Sequence, residues 1–253
     1  MIEAGAPVSH ACRIGIDEAG RGCLAGPVVA AAVLFASSFD FAAELPGLDD
    51  SKRLQPAKRG ELADLIVQKA TAYGVGFSRQ GEIDAVNILN ATFRAMSRAV
   101  LALAGSLEKA ENARPVVLPP LVIDGNKVIP QEQWRACARD PEAERRVWEE
   151  YFPAPPGDFP AVVPALPMQC AVVDGDALIP TVSAASVLAK TVRDGIMTRL
   201  DALYPGYGFA RHMGYGTKEH LRALAEKGPC RLHRATFRGV KPRAATAVVL
   251  KLP

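Results

Sequence analysis

Short apolar runs along the chain alternate with longer stretches of helical periodicity. Arg13 to Asp17 and Val28 to Phe35 read as strands. The glycine-rich stretch Gly20 to Gly26 between them supplies a reversal, because glycine adopts the φ > 0 values that tight turns need. Tyr73 to Phe77, Leu121 to Ile123 (ending on Asp124) and Gln169 to Val173 add further strands. A helix starts near Pro56, where proline suits a first turn, and turns Leu62, Leu65, Ile66 and the stem of Lys69 inward. A second spans Ile88 to Ala104, with Leu89, Phe93, Met96, Val100 and Leu103 at alternating spacings of four and three, a core-facing stripe. Two more run from Val182 to Leu203 and from Lys218 to Lys227. Strands with interposed helices predict an α/β domain.

Lys127 to Pro167 breaks the rhythm. Two short helical patterns meet at Asp140-Pro141, a good N-cap followed by a good first-turn residue, and Trp134, Trp148, Tyr151 and Phe152 give them an apolar face. Six prolines follow between Pro153 and Pro167. The segment reads as a surface insertion.

Charge adds a direction to this picture. The total is +3, but residues 209–253 carry ten Lys or Arg against two acids, which leaves −5 on the first 208. A basic end on a mildly acidic chain suits a polyanionic partner. Five scattered cysteines, none at a CxxC spacing, support neither a zinc ribbon nor a disulfide framework. No apolar run is long enough to span a bilayer, so a cytoplasmic protein is expected.

Candidate chemistry sits at strand ends. Asp17 and Glu18 follow Ile14 and Ile16 and precede Gly20-Arg21-Gly22, and Asp124 ends an apolar strand before Gly125 and Asn126. Carboxylates so placed suit a hard cation such as magnesium, which takes carboxylates, water and substrate phosphates. On the helix from Val182, Ser183, Ser186, Lys190 and Asp194 fall within roughly 80° of arc. Ala185, Leu188, Val192, Ile196 and Leu203 lie opposite. That polar stripe either lines a site or is a surface stripe with a Lys190–Asp194 pair. Gly206 to Gly216 combines aromatics, Arg211 and His212 with four glycines, a composition suited to sugars, bases and phosphates.

Taken in order, these stretches resemble the bacterial ribonuclease HII family of type 2 RNases H. They are GIDEAGRG (15–22), DDSKRL (49–54), NILNAT (87–92), IDGN (123–126), SAASVLAKTVRD (183–194), YPGYGFARHMGYGT (204–217) and HRATF (233–237). The resemblance implies an RNase H-like α/β fold: a mixed five-stranded sheet flanked by helices, with a small helical C-terminal part. It divides the chain into a catalytic core, residues 1–203, and a basic region, 204–253, completing the substrate cleft. It further implies that Asp17, Glu18, Asp124 and Asp194 bind Mn²⁺ or Mg²⁺ and cut RNA–DNA hybrids, and duplex DNA 5′ of embedded ribonucleotides. Two-metal hydrolysis would leave 5′-phosphate and 3′-hydroxyl ends. Gly20, Arg21, Gly22 and Tyr215 are expected to read the 2′-hydroxyl, the group that separates RNA from DNA. Lys52, Ser183, Lys190 and His212 are expected to contact the substrate, by a chain acting as a monomer without a membrane.

Cys23 stands where the family often has proline, which predicts a looser turn and an oxidisable thiol. Asp174 and Met213 replace common lysines and predict lost phosphate contacts. Two other readings fit parts of the pattern. A different carboxylate–metal nuclease on the same fold has no reason to carry both the Gly-Arg-Gly turn and Tyr215. A non-catalytic nucleic-acid-binding module has no use for four carboxylates that repel phosphate.

Overall fold

The computed structural model describes residues 13–48, 54–111, 116–138, 160 and 162–240. Five strands make one mixed sheet: β1 (Ile14–Ala19), β2 (Val28–Leu34), β3 (Ala72–Ser78), β4 (Leu121–Asp124) and β5 (Gln169–Val172), in the order β3-β2-β1-β4-β5. β1–β2 and β2–β3 are antiparallel; β1–β4 and β4–β5 are parallel. The periodicity therefore located every strand, and Gly20 and Gly26 take the positive φ expected of them.

Both sheet faces are covered, and β2 shows why. Its sequence VVAAAVL is apolar at every position and buried throughout. Pleating sends Val29, Ala31 and Val33 into one core and Val28, Ala30, Ala32 and Leu34 into the other. The first core takes Leu62, Ala63 and Ile66 of α2 (Pro56–Lys69) and the apolar side of α7 (Pro180–Leu203). The second takes α4 (Ile88–Glu111). Close approach is built from missing side chains: a Cβ on Gly76 would lie 2.2 Å from the Ala95 carbonyl oxygen on α4. One on Gly15 would lie 2.2 Å from the backbone of Thr181 on α7.

Some expectations need adjusting. The second helix continues seven residues past Ala104, and α3 (Gln80–Val86) precedes it, set off by Asn87 at φ 68°. Leu203, placed on the apolar side, is 70% exposed because it closes the last turn of α7. The surface reading of Lys127 to Pro167 fails for its first part: α5 (Gln131–Ala138) buries Trp134 and Cys137 in the α4 core. Trp148, Tyr151 and Phe152 lie outside the described residues. Short helices α1 (Phe41–Glu44), α6 (Gly175–Leu178) and α8 (Phe209–His212) join the larger elements. The C-terminal helix, α9 (Lys218–Lys227), has the predicted bounds; Thr217 caps its first turn by accepting from the His220 N–H. Residues 241–253, with three of the ten basic side chains, are outside the described part.

Candidate functional site

The parallel pairing of β1 with β4 brings the first carboxylates together. Ile16 pairs with Ile123, so Asp17 and Asp124, each one residue further on, sit side by side on neighbouring strands; Asp124 ends β4, whereas β1 continues two residues past Asp17, to Ala19. Asp17 shares a face with Gly15, against which α7 packs, and it accepts a hydrogen bond from Ser186 of that helix. It also accepts from the Glu18 N–H at 2.7 Å. Asp124 Oδ1 accepts from the Asp176 N–H at 3.3 Å. The Gly125 N–H donates to Val172, and Gly125 takes φ 98°, which ends the strand at the carboxylate.

These groups crowd one another. Burial first, then the Glu18 charge and that of Asp124, push the Asp17 pKa well above the ordinary carboxylate range. Glu18 is raised by burial and by Asp124, against the pull of Arg21, whose guanidinium donates to Glu18 Oε1 at 2.9 Å. Glu18 Oε2 is buried with no hydrogen-bond partner among the described residues. Among the described residues no three His, Cys, Asp or Glu side chains form a ready-made metal cage. The donor set still fits divalent ions. Buried, mutually repelling carboxylates with an orphaned oxygen are what a hard cation neutralises, with water and phosphate as the other ligands.

Asp194 is not brought to this group. Asp17 meets α7 at Ser186, and Asp194 lies eight residues along, about 12 Å of helical rise. Its carboxylate instead faces α2, where Arg59 Nη2 lies 2.5 Å from Oδ2, with Lys190 Nζ at 3.7 Å. The acid that does stand beside Asp124 is Asp176, buried on α6, and sequence reasoning missed it. A weaker signal was present: Asp176 lies four residues past an apolar strand, whereas Asp124 ends one.

Two other expectations change. Ser183 is buried and donates inward to the carbonyls of Asp176 and Ile179, closing the junction of α6 and α7 rather than facing a substrate. His212 is buried as well, its ring between the Tyr207 carbonyl and the Gly214 N–H. Lys190 remains partly exposed. Lys52 lies outside the described residues.

The turn after Glu18 is held by two buried arginines that the sequence did not single out. Arg234 donates to the carbonyls of Gly20, Arg21 and Gly26; Arg193 donates to those of Pro27, Ala25 and Met213. Burial lowers the Arg234 pKa to about 10, so it remains a cation at neutral pH. Gly20 is required here: φ is 94°, and a Cβ would fall 1.9 Å from Arg193 Nε. Arg193 also lies 5.9 Å from the Tyr215 ring centre, and Tyr215 is 44% exposed. Cys23, expected to loosen the turn and to oxidise, is fully buried and hydrogen-bonded to the Tyr215 hydroxyl. Burial raises its pKa, so it stays a thiol. Met213 serves through its carbonyl, and Asp174 takes a left-handed conformation (φ 54°) before α6.

A mixed sheet covered by helices on both faces, with carboxylates side by side on two parallel strands beside a turn held by buried arginines, is the arrangement of a metal-dependent nuclease of the RNase H class. The sequence matches the Ribonuclease HII family over residues 14–111 and 163–240. It is 46% identical over 238 residues to the ribonuclease HII of Nitratidesulfovibrio vulgaris, spanning 94% of this chain and 91% of the relative. The chain belongs to the ribonuclease HII family, whose members are divalent-metal-dependent endoribonucleases acting on RNA–DNA hybrids. Its fold resembles the ribonuclease H2 of Pyrococcus horikoshii OT3 (TM-score 0.62, 22% identity, 90% of this chain and 95% of that one). It also resembles Bst-RNase HIII, crystallised in complex with Mn²⁺ (TM-score 0.62, 15% identity, 94% and 72%).

Proposed function

We propose that this chain cuts the RNA strand of RNA–DNA hybrids, and duplex DNA on the 5′ side of an embedded ribonucleotide, leaving 5′-phosphate and 3′-hydroxyl ends. The observation that carries the reading is a juxtaposition: Asp17, Glu18 and Asp124 crowd together, and the Gly20-Arg21-Gly22 turn begins two residues after Glu18. Cutting and reading groups thus share one strand end.

Asp17, Glu18 and Asp124, with Asp176 as the fourth acid in place of Asp194, would hold Mg²⁺ or Mn²⁺. Bound there, the ions supply charge neutralisation at the scissile phosphate and an acidified water. The protein's own contribution is placement. Ser186 fixes the Asp17 carboxylate, and the Asp176 N–H fixes that of Asp124. Arg21 holds Glu18 Oε1 and is exposed enough to move to a phosphate instead. The exposed Tyr215 ring packs against the sugar at the junction, while Lys190 and Lys52 hold phosphates and give salt-dependent, sequence-independent affinity. The enzyme acts as a cytoplasmic monomer; no helix among the described residues is long and apolar enough to cross a membrane.

The test is a DNA duplex with one embedded ribonucleotide, incubated with Mg²⁺ or Mn²⁺ beside an all-DNA control. One cut 5′ of the ribonucleotide and an intact control are expected. Equal cutting of both duplexes points to a general nuclease, and binding without cutting to a binding module; either overturns the reading.

A further inference from the structure

The two buried guanidiniums point at the loop from behind, and the direction matters. In a trans peptide the C=O and N–H point opposite ways. Arg234 Nη2 holds the Gly20 carbonyl at 2.7 Å, so the N–H of the same peptide, on Arg21, is turned away from the protein interior. Arg234 Nη1 holds the Arg21 carbonyl at 2.8 Å, which turns the Gly22 N–H outward in the same way. The same side chain grips Gly26 through Nε at 3.1 Å and Nη2 at 2.9 Å, and its own N–H donates to Leu24. Arg193 fixes the far end of the loop at Ala25 and Pro27, and ties it to the Met213 carbonyl two residues before Tyr215.

The outward side is open. A Cβ built on Gly22 meets nothing within 4 Å, and neither the Arg21 nor the Gly22 N–H has an acceptor among the described residues. Two consecutive unsatisfied N–H groups next to a carboxylate cluster form a small concavity for an electron-rich oxygen.

We infer that Arg234 and Arg193 are positioning residues for ribonucleotide discrimination: by holding the carbonyls of Gly20, Arg21, Ala25, Gly26 and Pro27 inward, they aim the Arg21 and Gly22 N–H groups at the 2′-hydroxyl oxygen. This rests on the proposed reading of the junction and adds the groups that set its geometry. Neither arginine touches the substrate. Lysine cannot replace Arg234, because one ammonium cannot span three carbonyls as a planar guanidinium does.

The experiment measures recognition without cleavage. In an Asp124→Asn background with Mg²⁺, dissociation constants are obtained by fluorescence anisotropy for a duplex with one ribonucleotide and for the same duplex all in DNA. The parent should prefer the ribonucleotide by about tenfold, the order expected for one or two hydrogen bonds. Adding Arg234→Lys should bring the preference within about twofold. A structural role alone would weaken both duplexes equally and keep the ratio. Gly22→Pro deletes one N–H without touching a buried group and should cut the ratio, whereas Gly22→Ala should keep it; this pair decides the matter if Arg234→Lys does not fold. A tenfold preference surviving in Arg234→Lys, or in Gly22→Pro, overturns the inference. A parent with no preference at all overturns the junction reading itself.

Discussion

Replacing Asp194 by Asn separates a metal ligand from a member of an ion pair. Its carboxylate lies 2.5 Å from Arg59 Nη2, and the side chains are only 18% and 8% exposed. An exposed pair is worth at most about 1 kcal/mol, whereas breaking a buried one costs roughly 3–5 kcal/mol. A partly buried pair whose amide replacement still accepts a hydrogen bond should cost about 2 kcal/mol. For a chain of this size that is a Tm lower by about 4–8 °C. Calorimetric melts should show this drop in metal-free protein, and titration calorimetry should find Mn²⁺ affinity within about threefold of the parent. Asp124→Asn and Asp176→Asn should behave oppositely. Both should lower Mn²⁺ affinity at least about tenfold, and Asp124→Asn, which removes a charge that pushes up the Asp17 and Glu18 pKa values, should leave the metal-free Tm level or higher. An Asp194→Asn protein that melts like the parent but loses Mn²⁺ as far as Asp124→Asn does would restore Asp194 to the metal site and refute the reasoning.

Two further outcomes follow from packing and burial. Burial, with His220 adding repulsion, lowers the His233 pKa from 6.5 to about 4. The unfolded chain therefore takes up this proton first, so stability is full above about pH 6.5 and falls by roughly 2–3 kcal/mol towards pH 4; His233→Gln should flatten that slope in melts across the window, and equal slopes would remove the explanation. Gly76→Ala should cost at least about 2 kcal/mol in urea denaturation, because its Cβ would sit 2.2 Å from the Ala95 carbonyl oxygen and neither backbone can yield; a midpoint like the parent's would show that α4 shifts freely.

What was legible in the sequence follows from the kind of interaction that fixes each part. Strands and long helices are set by local periodicity, and all five strands and the helices at Pro56, Val182 and Lys218 lie where apolar spacing put them. Asp17 and Asp124 were legible because each ends an apolar run. Three features were not, because each is decided by how elements pack rather than by local periodicity. Asp194 shares the polar stripe of α7, but α2 covers the end of that stripe and Arg59 claims the carboxylate, 135 residues away in sequence. Ser183 belongs to the same stripe, yet α6 folds over it. Arg193 and Arg234 look like surface cations in any window of sequence; only the loop carbonyls they reach, 166 to 214 residues distant, explain their complete burial.

The cations and anions of the site divide the work. A buried arginine is tolerated where every N–H finds a carbonyl, and Arg193 and Arg234 meet that condition closely enough to make the loop rigid. The carboxylates are less fully met: Arg21 pairs with Glu18 Oε1, but among the described residues Glu18 Oε2 lacks a hydrogen bond, and the Asp17 and Glu18 pKa values are raised by burial and by the neighbouring acids. The fold thus spends its internal cations on the reading loop and leaves the cutting group under-neutralised. That asymmetry ties affinity for divalent ions to the same strand end that presents the Arg21 and Gly22 N–H groups. Moving an arginine into the carboxylate cluster, for example by Ser186→Arg, should therefore raise metal-free stability and weaken Mn²⁺ binding together. If the two move independently, the repulsion is not what draws the metal.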